Sequence, residues 1–215
     1  MPLRTRVFTA AWDRFGEESI VGMDLPGIRR SRAKVTPAVL PFTWITGPVF
    51  RDVRRQDTSF LARDGLEVPL RVYRPAGSGE PLPVVVFFHG GGWVLGNTRR
   101  YDPFGTFLAR EVGAVVVSVD YRMAPEHHAP KAVLDCVDSV RWLGEHADSF
   151  GGISSRLAVS GDSAGGNLSA IVCQLIRDEG GPTIAHQALM YPPPMPPRAS
   201  HPSLSTLVRR SSPEP

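Results

Sequence analysis

Four strand-like runs separated by helical stretches restrict this chain more than any other feature. They are Pro83-Val84-Val85-Val86-Phe87-Phe88, Ala114–Val119, Arg156–Ser160 and Ile184–Tyr191. A strand that is apolar at consecutive positions is one covered on both faces. Between the runs, Asp102-Pro103 opens a segment that closes at Gly113. A second segment carries Val133, Val137, Val140 and Leu143 on one face, and a third repeats Leu168, Ile171, Val172, Leu175 and Ile176 at helical spacing. This alternation predicts an α/β fold with a mostly parallel, doubly wound sheet and right-handed crossovers. Ligands in such sheets bind at the carboxyl ends of the strands. Asp102 is expected at N-cap with Pro103 at N1, and Gly113 at C′. Upstream, Arg55–Leu61, a turn at Asp64-Gly65 and Leu66–Tyr73 read as an antiparallel pair. Pro69 argues for an edge position or a bulge in the second of these strands.

At the end of the third apolar run stands Gly161-Asp162-Ser163-Ala164-Gly165, a Gly-x-Ser-x-Gly sequence between strand and helix. That context predicts a nucleophile elbow, a turn so sharp that Gly161 and Gly165 sit where a Cβ cannot. Ser163 is thereby raised above the sheet at the positive end of the following helix. His89-Gly90-Gly91-Gly92-Trp93 follows the first apolar run. Acyl transfer creates a tetrahedral oxyanion, and backbone N–H groups aimed at it supply roughly 3–4 kcal/mol each. Glycines let a loop turn those groups inward, and Ala164 adds an N–H from the helix start.

The remaining composition excludes several classes of function. The chain has 215 residues, 42% apolar and 21% charged, with a net charge of +3. The arginine clusters Arg29-Arg30-Ser31-Arg32, Arg99-Arg100 and Arg209-Arg210 are scattered and lack interleaved aromatics, so no nucleic-acid partner is expected. Cys136 and Cys173 each fall in a helical pattern and read as small core residues of a reducing compartment. No spacing of Cys and His suggests a metal site. The start of the chain has no apolar core of a signal peptide, and no run reaches the ~18 residues of a membrane span. A cytoplasmic location is expected.

His89–Trp93, Tyr121-Arg122-Met123-Ala124-Pro125-Glu126-His127 and Gly161–Asn167 stand in the order and spacing of the hormone-sensitive-lipase-like family of α/β-hydrolases, which residues ~50–192 resemble. The resemblance implies an α/β-hydrolase fold and a serine carboxylesterase of lipase type acting on short or medium acyl esters, without cofactor. It implies Ser163 as nucleophile and Gly91, Gly92 and Ala164 as oxyanion donors, with His89 and Gly90 shaping that loop. Asp162 resembles the family's elbow residue that serves structure rather than chemistry. The Tyr121–His127 segment reads as a support loop, with Arg122 and Glu126 in internal polar contacts. Residues 1–50, with a short helix over Phe8–Ile20, resemble a partial N-terminal cap; residues 51–192 form the hydrolase core. The proline-, arginine- and serine-rich stretch 193–215 reads as a disordered tail.

The family's catalytic acid and histidine lie well downstream of the serine. The candidates here are Asp178, Glu179, Glu214, His186 and His201. Asp178 is roughly 20 Å along the helix from Ser163. His186 is early in the last strand, roughly 16 Å below its carboxyl end. His127 and His128 lie on the correct side of the sheet but read as solvated loop residues. The expectation is therefore a C-terminally truncated esterase, inactive as an isolated chain, with Ile184–Tyr191 as an exposed apolar edge. A homodimer or a complementing C-terminal chain are the partners this suggests besides a small ester. Two alternatives stay open: a non-catalytic binding or regulatory remnant, and an amide or formamide hydrolase on the same fold.

Overall fold

The computed structural model describes residues 20–35 and 42–194, together with Arg6. The helix expected over Phe8–Ile20, apart from Ile20 itself, and the stretch 195–215 with His201 and Glu214 lie outside the described residues.

Two short helices come first, α1 (Leu25–Arg32) and α2 (Phe42–Thr46). Then follow β1 (Val53–Leu61), β2 (Glu67–Pro75), β3 (Leu82–Phe88), α3 (Asp102–Val112), β4 (Val115–Val119), α4 (Lys131–His146), β5 (Gly152–Asp162), α5 (Ala164–Asp178) and β6 (Ile184–Met190). Among the described residues the strands form one sheet in the order β1-β2-β4-β3-β5-β6. β1 and β2 are antiparallel to their neighbours, whereas β4, β3, β5 and β6 run parallel.

The continuous apolar runs have the cause expected of them. Val84, Val86, Phe88, Val115, Val117, Val119, Leu157 and Val159 pack into one core with the inner faces of α4 and α5. Phe87 and Val116 point the other way and join Tyr73 and Ala109 in a second core under α3. Strand residues alternate between faces, so a sheet with helices on both sides needs apolar residues at every position. Gly113 closes α3 with φ 64°, a left-handed position that suits glycine.

Three local expectations need correction. β2 is not an edge strand, because it lies between β1 and β4. Its ladder to β4 begins at Leu70, which pairs with Val119. Pro69, which has no N–H, falls one residue outside that ladder, and its carbonyl accepts the Asp120 N–H at 3.0 Å. Asp102 does not cap α3 but forms its first residue. Its carboxylate accepts from Arg71 Nε at 2.6 Å and from the Tyr73 hydroxyl at 3.0 Å. Charge-assisted donors on β2 are stronger than a backbone N–H, and they hold the carboxylate toward the sheet. Cys136 is fully buried as expected, but Cys173 is only half-buried.

Among the described residues β6 is the open edge of the sheet, and Ala185–Ala188 are exposed. A groove of about 730 Å³ runs beside it, lined in part by Cys173, Arg177, Ile184 and His186. This groove is at the far end of β6 from Ser163, whose N–H reaches Met190 at the strand's carboxyl end. Among the described residues no helix is long and apolar enough to cross a membrane.

Candidate active site

Ser163 occupies the single residue between β5 and α5, with φ 50° and ψ −119°. A positive φ on a residue with a side chain costs of order 1–3 kcal/mol and persists only where the surroundings impose it. Here the Ser163 N–H donates to the Met190 carbonyl at 2.9 Å, and its own carbonyl accepts the Asn167 N–H at 3.0 Å. The two flanking glycines are sterically required. A Cβ on Gly161 would lie 2.4 Å from the Gly165 carbonyl group, and one on Gly165 would lie 1.9 Å from the Phe88 carbonyl oxygen. The elbow is thus pressed against the carboxyl end of β3, which leads directly into the glycine loop.

That loop is folded back on itself. Gly91 has φ 128° and Gly92 φ 63°. The Gly91 carbonyl accepts the N–H groups of Val94 and Leu95 at 3.1 and 2.8 Å. A Cβ on Gly91 would lie 2.1 Å from the Leu95 carbonyl oxygen. Among the described residues the N–H groups of Gly91, Gly92 and Ala164 donate to no backbone or side-chain acceptor.

Asp162, beside the serine, ties the elbow to this loop. Its carboxylate accepts the Gly90 N–H at 2.8 Å and the Tyr101 hydroxyl at 2.9 Å, with the Tyr191 hydroxyl farther off at 3.4 Å. A Cβ on Gly90 would lie 2.3 Å from this carboxylate. Burial, reinforced by Asp162, pushes the Tyr101 hydroxyl well above its ordinary pKa, so it stays a donor. His89 is completely buried and serves as the post inside the loop. Its Nδ1 lies 2.8 Å from the Gly90 carbonyl oxygen, its carbonyl accepts the Tyr121 hydroxyl at 2.6 Å, and its ring stacks on Tyr121 with centroids 4.5 Å apart.

The support loop contributes two ion-pair groups. Arg122 donates to the buried Asp135, with Nε 2.9 Å from Oδ2, and to Asp64, with Nη1 2.8 Å from Oδ2. Hydrogen bonds from Arg122 hold the Asp64 carboxyl well below its ordinary value. Glu126 reaches the other way, to Arg29 at 3.2 Å and Arg32 at 2.9 Å on α1. Arg32 also donates to the carbonyls of Val94 at 2.7 Å and Ala124 at 2.5 Å. The N-terminal segment is therefore fastened to the far end of the glycine loop, and the Ile20 side chain lies against Gly92. Sequence reasoning missed Arg32, Tyr101 and Asp120. No local pattern marks a partner 62 residues away.

The remaining candidates are apart from Ser163. His127 and His128 are exposed on their loop. Asp178 ends α5, and His186 pairs with Ala158 well below the elbow. Among the described residues no cluster of three or more His, Cys, Asp or Glu could hold a metal ion.

The mostly parallel sheet with its flanking helices agrees with the comparisons. A family described by the alpha/beta hydrolase fold matches residues 85–212. Carboxylesterase NlhH of Mycobacterium tuberculosis is 43% identical over 175 residues, covering 81% of this chain and 51% of that protein. Carboxylic ester hydrolase LipN of the same organism is 53% identical over 131 residues, covering 59% and 35%. A thermostable esterase from Pseudomonas putida superposes with a TM-score of 0.75 at 30% identity, covering 95% of this chain and 60% of that one. A hyperthermophilic esterase from the archaeon Pyrobaculum calidifontis gives 0.62 at 47% identity, covering 65% and 45%. The chain belongs to the α/β-hydrolase fold family, in its hormone-sensitive-lipase-like branch. It spans about half the length of the curated relatives it matches.

Proposed function

We propose that the site is that of a serine carboxylesterase, in which Ser163 Oγ attacks the acyl carbon of a short or medium acyl ester. The alcohol leaves, an acyl-enzyme forms on Ser163, and water then releases the acid. The observation that carries this reading is the strained elbow at φ 50° set against the end of β3, where the glycine loop begins. The N–H groups of Gly91, Gly92 and Ala164 are its oxyanion donors. Asp162 and His89 hold the loop and take no part in the chemistry in this reading. The names of the relatives, a carboxylesterase and a carboxylic ester hydrolase, support the ester as substrate.

The general base and its acid are assigned to none of the described residues. Ser163 is then an ordinary alcohol in the isolated chain, and we infer that turnover is limited to the ~10³–10⁴-fold that an oxyanion hole and binding give on their own. Titration with butylboronic acid, followed by boron NMR, tests nucleophile and oxyanion hole without requiring turnover. A tetrahedral adduct is expected in the wild type and not in Ser163→Ala. An adduct in neither protein removes the assignment of Ser163. Rapid hydrolysis of p-nitrophenyl butyrate that disappears in Ser163→Ala removes the inference of inactivity and keeps the esterase.

A further inference from the structure

His89 and Asp120 are the first residues past two paired strands. Parallel register sets Phe88 beside Val119, so the next two side chains emerge next to each other. His89 Nε2 lies 3.8 Å from Asp120 Oδ1. Both atoms are sealed from solvent, and neither has a hydrogen-bond partner.

The tautomer is fixed by the opposite nitrogen. Nδ1 is 2.8 Å from the Gly90 carbonyl oxygen, and a carbonyl only accepts, so Nδ1 carries a proton. A neutral imidazole beside an ionised Asp120 would then face lone pair against lone pair at two atoms closed to water, although the Asp120 side chain as a whole is 33% exposed. Two buried acceptors without a donor are costly to maintain. One additional proton removes the conflict, whichever of the two atoms holds it.

We propose that the His89–Asp120 pair holds one proton, on Nε2 or on Oδ1, which makes Asp120 a positioning residue for the glycine loop. Its effect on catalysis rests on the proposed role of that loop as an oxyanion hole; the proton itself does not. The loop closes around the His89 ring. A Cβ on Gly96 would lie 2.6 Å from Nδ1, and Gly96 follows Leu95, whose N–H is bonded to Gly91. A ring pushed away by Asp120 would therefore displace Gly90 and Gly91 together.

The charged and titratable groups around the pair are few. The rings of Tyr121 and Tyr101 pack on His89, and burial keeps both hydroxyls neutral. Asp162 acts on His89 from the elbow side. Arg32 on α1 and Arg99 in the turn before α3 act on Asp120. Burial pushes the Asp120 carboxyl above its ordinary value and the His89 imidazole below its own.

Nitrogen NMR of protein labelled in its histidines, assigned with His89→Gln, tests the proposal. Either Nε2 of His89 or the Asp120 carboxyl is expected to show a bound proton at neutral pH in the wild type. In Asp120→Asn the side-chain amide donates to Nε2, so its signal is that of an unprotonated acceptor. The wild type showing that same unprotonated signal together with an ionised Asp120 carboxylate in carbon NMR would overturn the proposal. Affinity for butylboronate is expected to fall about tenfold in Asp120→Ala, part of the ~100-fold that loss of one oxyanion donor costs. Asp120→Asn is expected to recover most of it. Equal affinity in Asp120→Ala and wild type would refute the positioning role. A wild type that binds no boronate would count against the proposed function instead, and the NMR result would still decide the proton.

Discussion

Removing the Asp162 carboxylate should loosen the glycine loop by a measurable amount. Asp162→Ala deletes the acceptor of the Gly90 N–H at 2.8 Å and of the Tyr101 hydroxyl at 2.9 Å, at a position only 8% exposed. A hydrogen bond to a charged group contributes about 1.5–3 kcal/mol. Gly90 keeps a substitute, because its N–H also points at the Tyr101 hydroxyl at 3.0 Å. The Tyr191 bond, at 3.4 Å from an exposed residue, adds little. The cost is then about 2–4 kcal/mol, most of it from the Tyr101 hydroxyl and the pocket left behind. For a domain of this size, ~2–4 °C is lost per kcal/mol, so the melting temperature should drop by roughly 5–15 °C. Urea unfolding followed by circular dichroism is the assay, with a lowered midpoint and an unchanged slope as the expected result. Asp162→Asn retains an acceptor for Gly90 and should recover at least half of the loss. An Asp162→Ala protein that unfolds at the wild-type midpoint would show that the loop is held by something else.

Gly165→Ala places a methyl 1.9 Å from the Phe88 carbonyl oxygen, backbone that cannot turn aside as a side chain can. It should cost on the order of 3 kcal/mol by thermal denaturation and abolish the boronate adduct; a stable protein with normal affinity would contradict the elbow geometry. Asp64 has a folded-state pKa held below the ordinary value, chiefly by the hydrogen bond from Arg122. A depressed value stabilises the fold fully above the unfolded pKa, and that stability is lost as pH falls toward the folded one. Acid titration of stability should therefore be shallower in Asp64→Asn than in the wild type, and identical acid limbs would refute the linkage.

Much of this protein is determined by order along the chain. Consecutive valines at 84–86 and 115–117 require a sheet covered twice, and that requirement alone fixes the layered α/β fold. Gly161, Ser163 and Gly165 act over a few residues, so the strand-to-helix turn was legible before any coordinates. His89 and its glycines were legible for the same reason. The strand Ile184–Tyr191 was expected as an exposed edge, and β6 lies there. Pro69 and Asp102 misled because each was judged by a local rule. Pro69 is accommodated by where the β4 ladder starts, and Asp102 is claimed by Arg71 and Tyr73 from another element.

What only the tertiary structure decided is pairing across distance. Asp162 with Gly90, Arg32 with Val94, and His89 with Asp120 join residues far apart in sequence, and neither spacing nor composition carries such information. Strand register decides it: Phe88 beside Val119 and Phe88 beside Gly161 bring three strand ends to one place. The sequence by itself determines that a serine stands on a sharp turn above a parallel sheet. The order of the strands decides which carboxylate holds the loop beside it and which one meets the buried histidine.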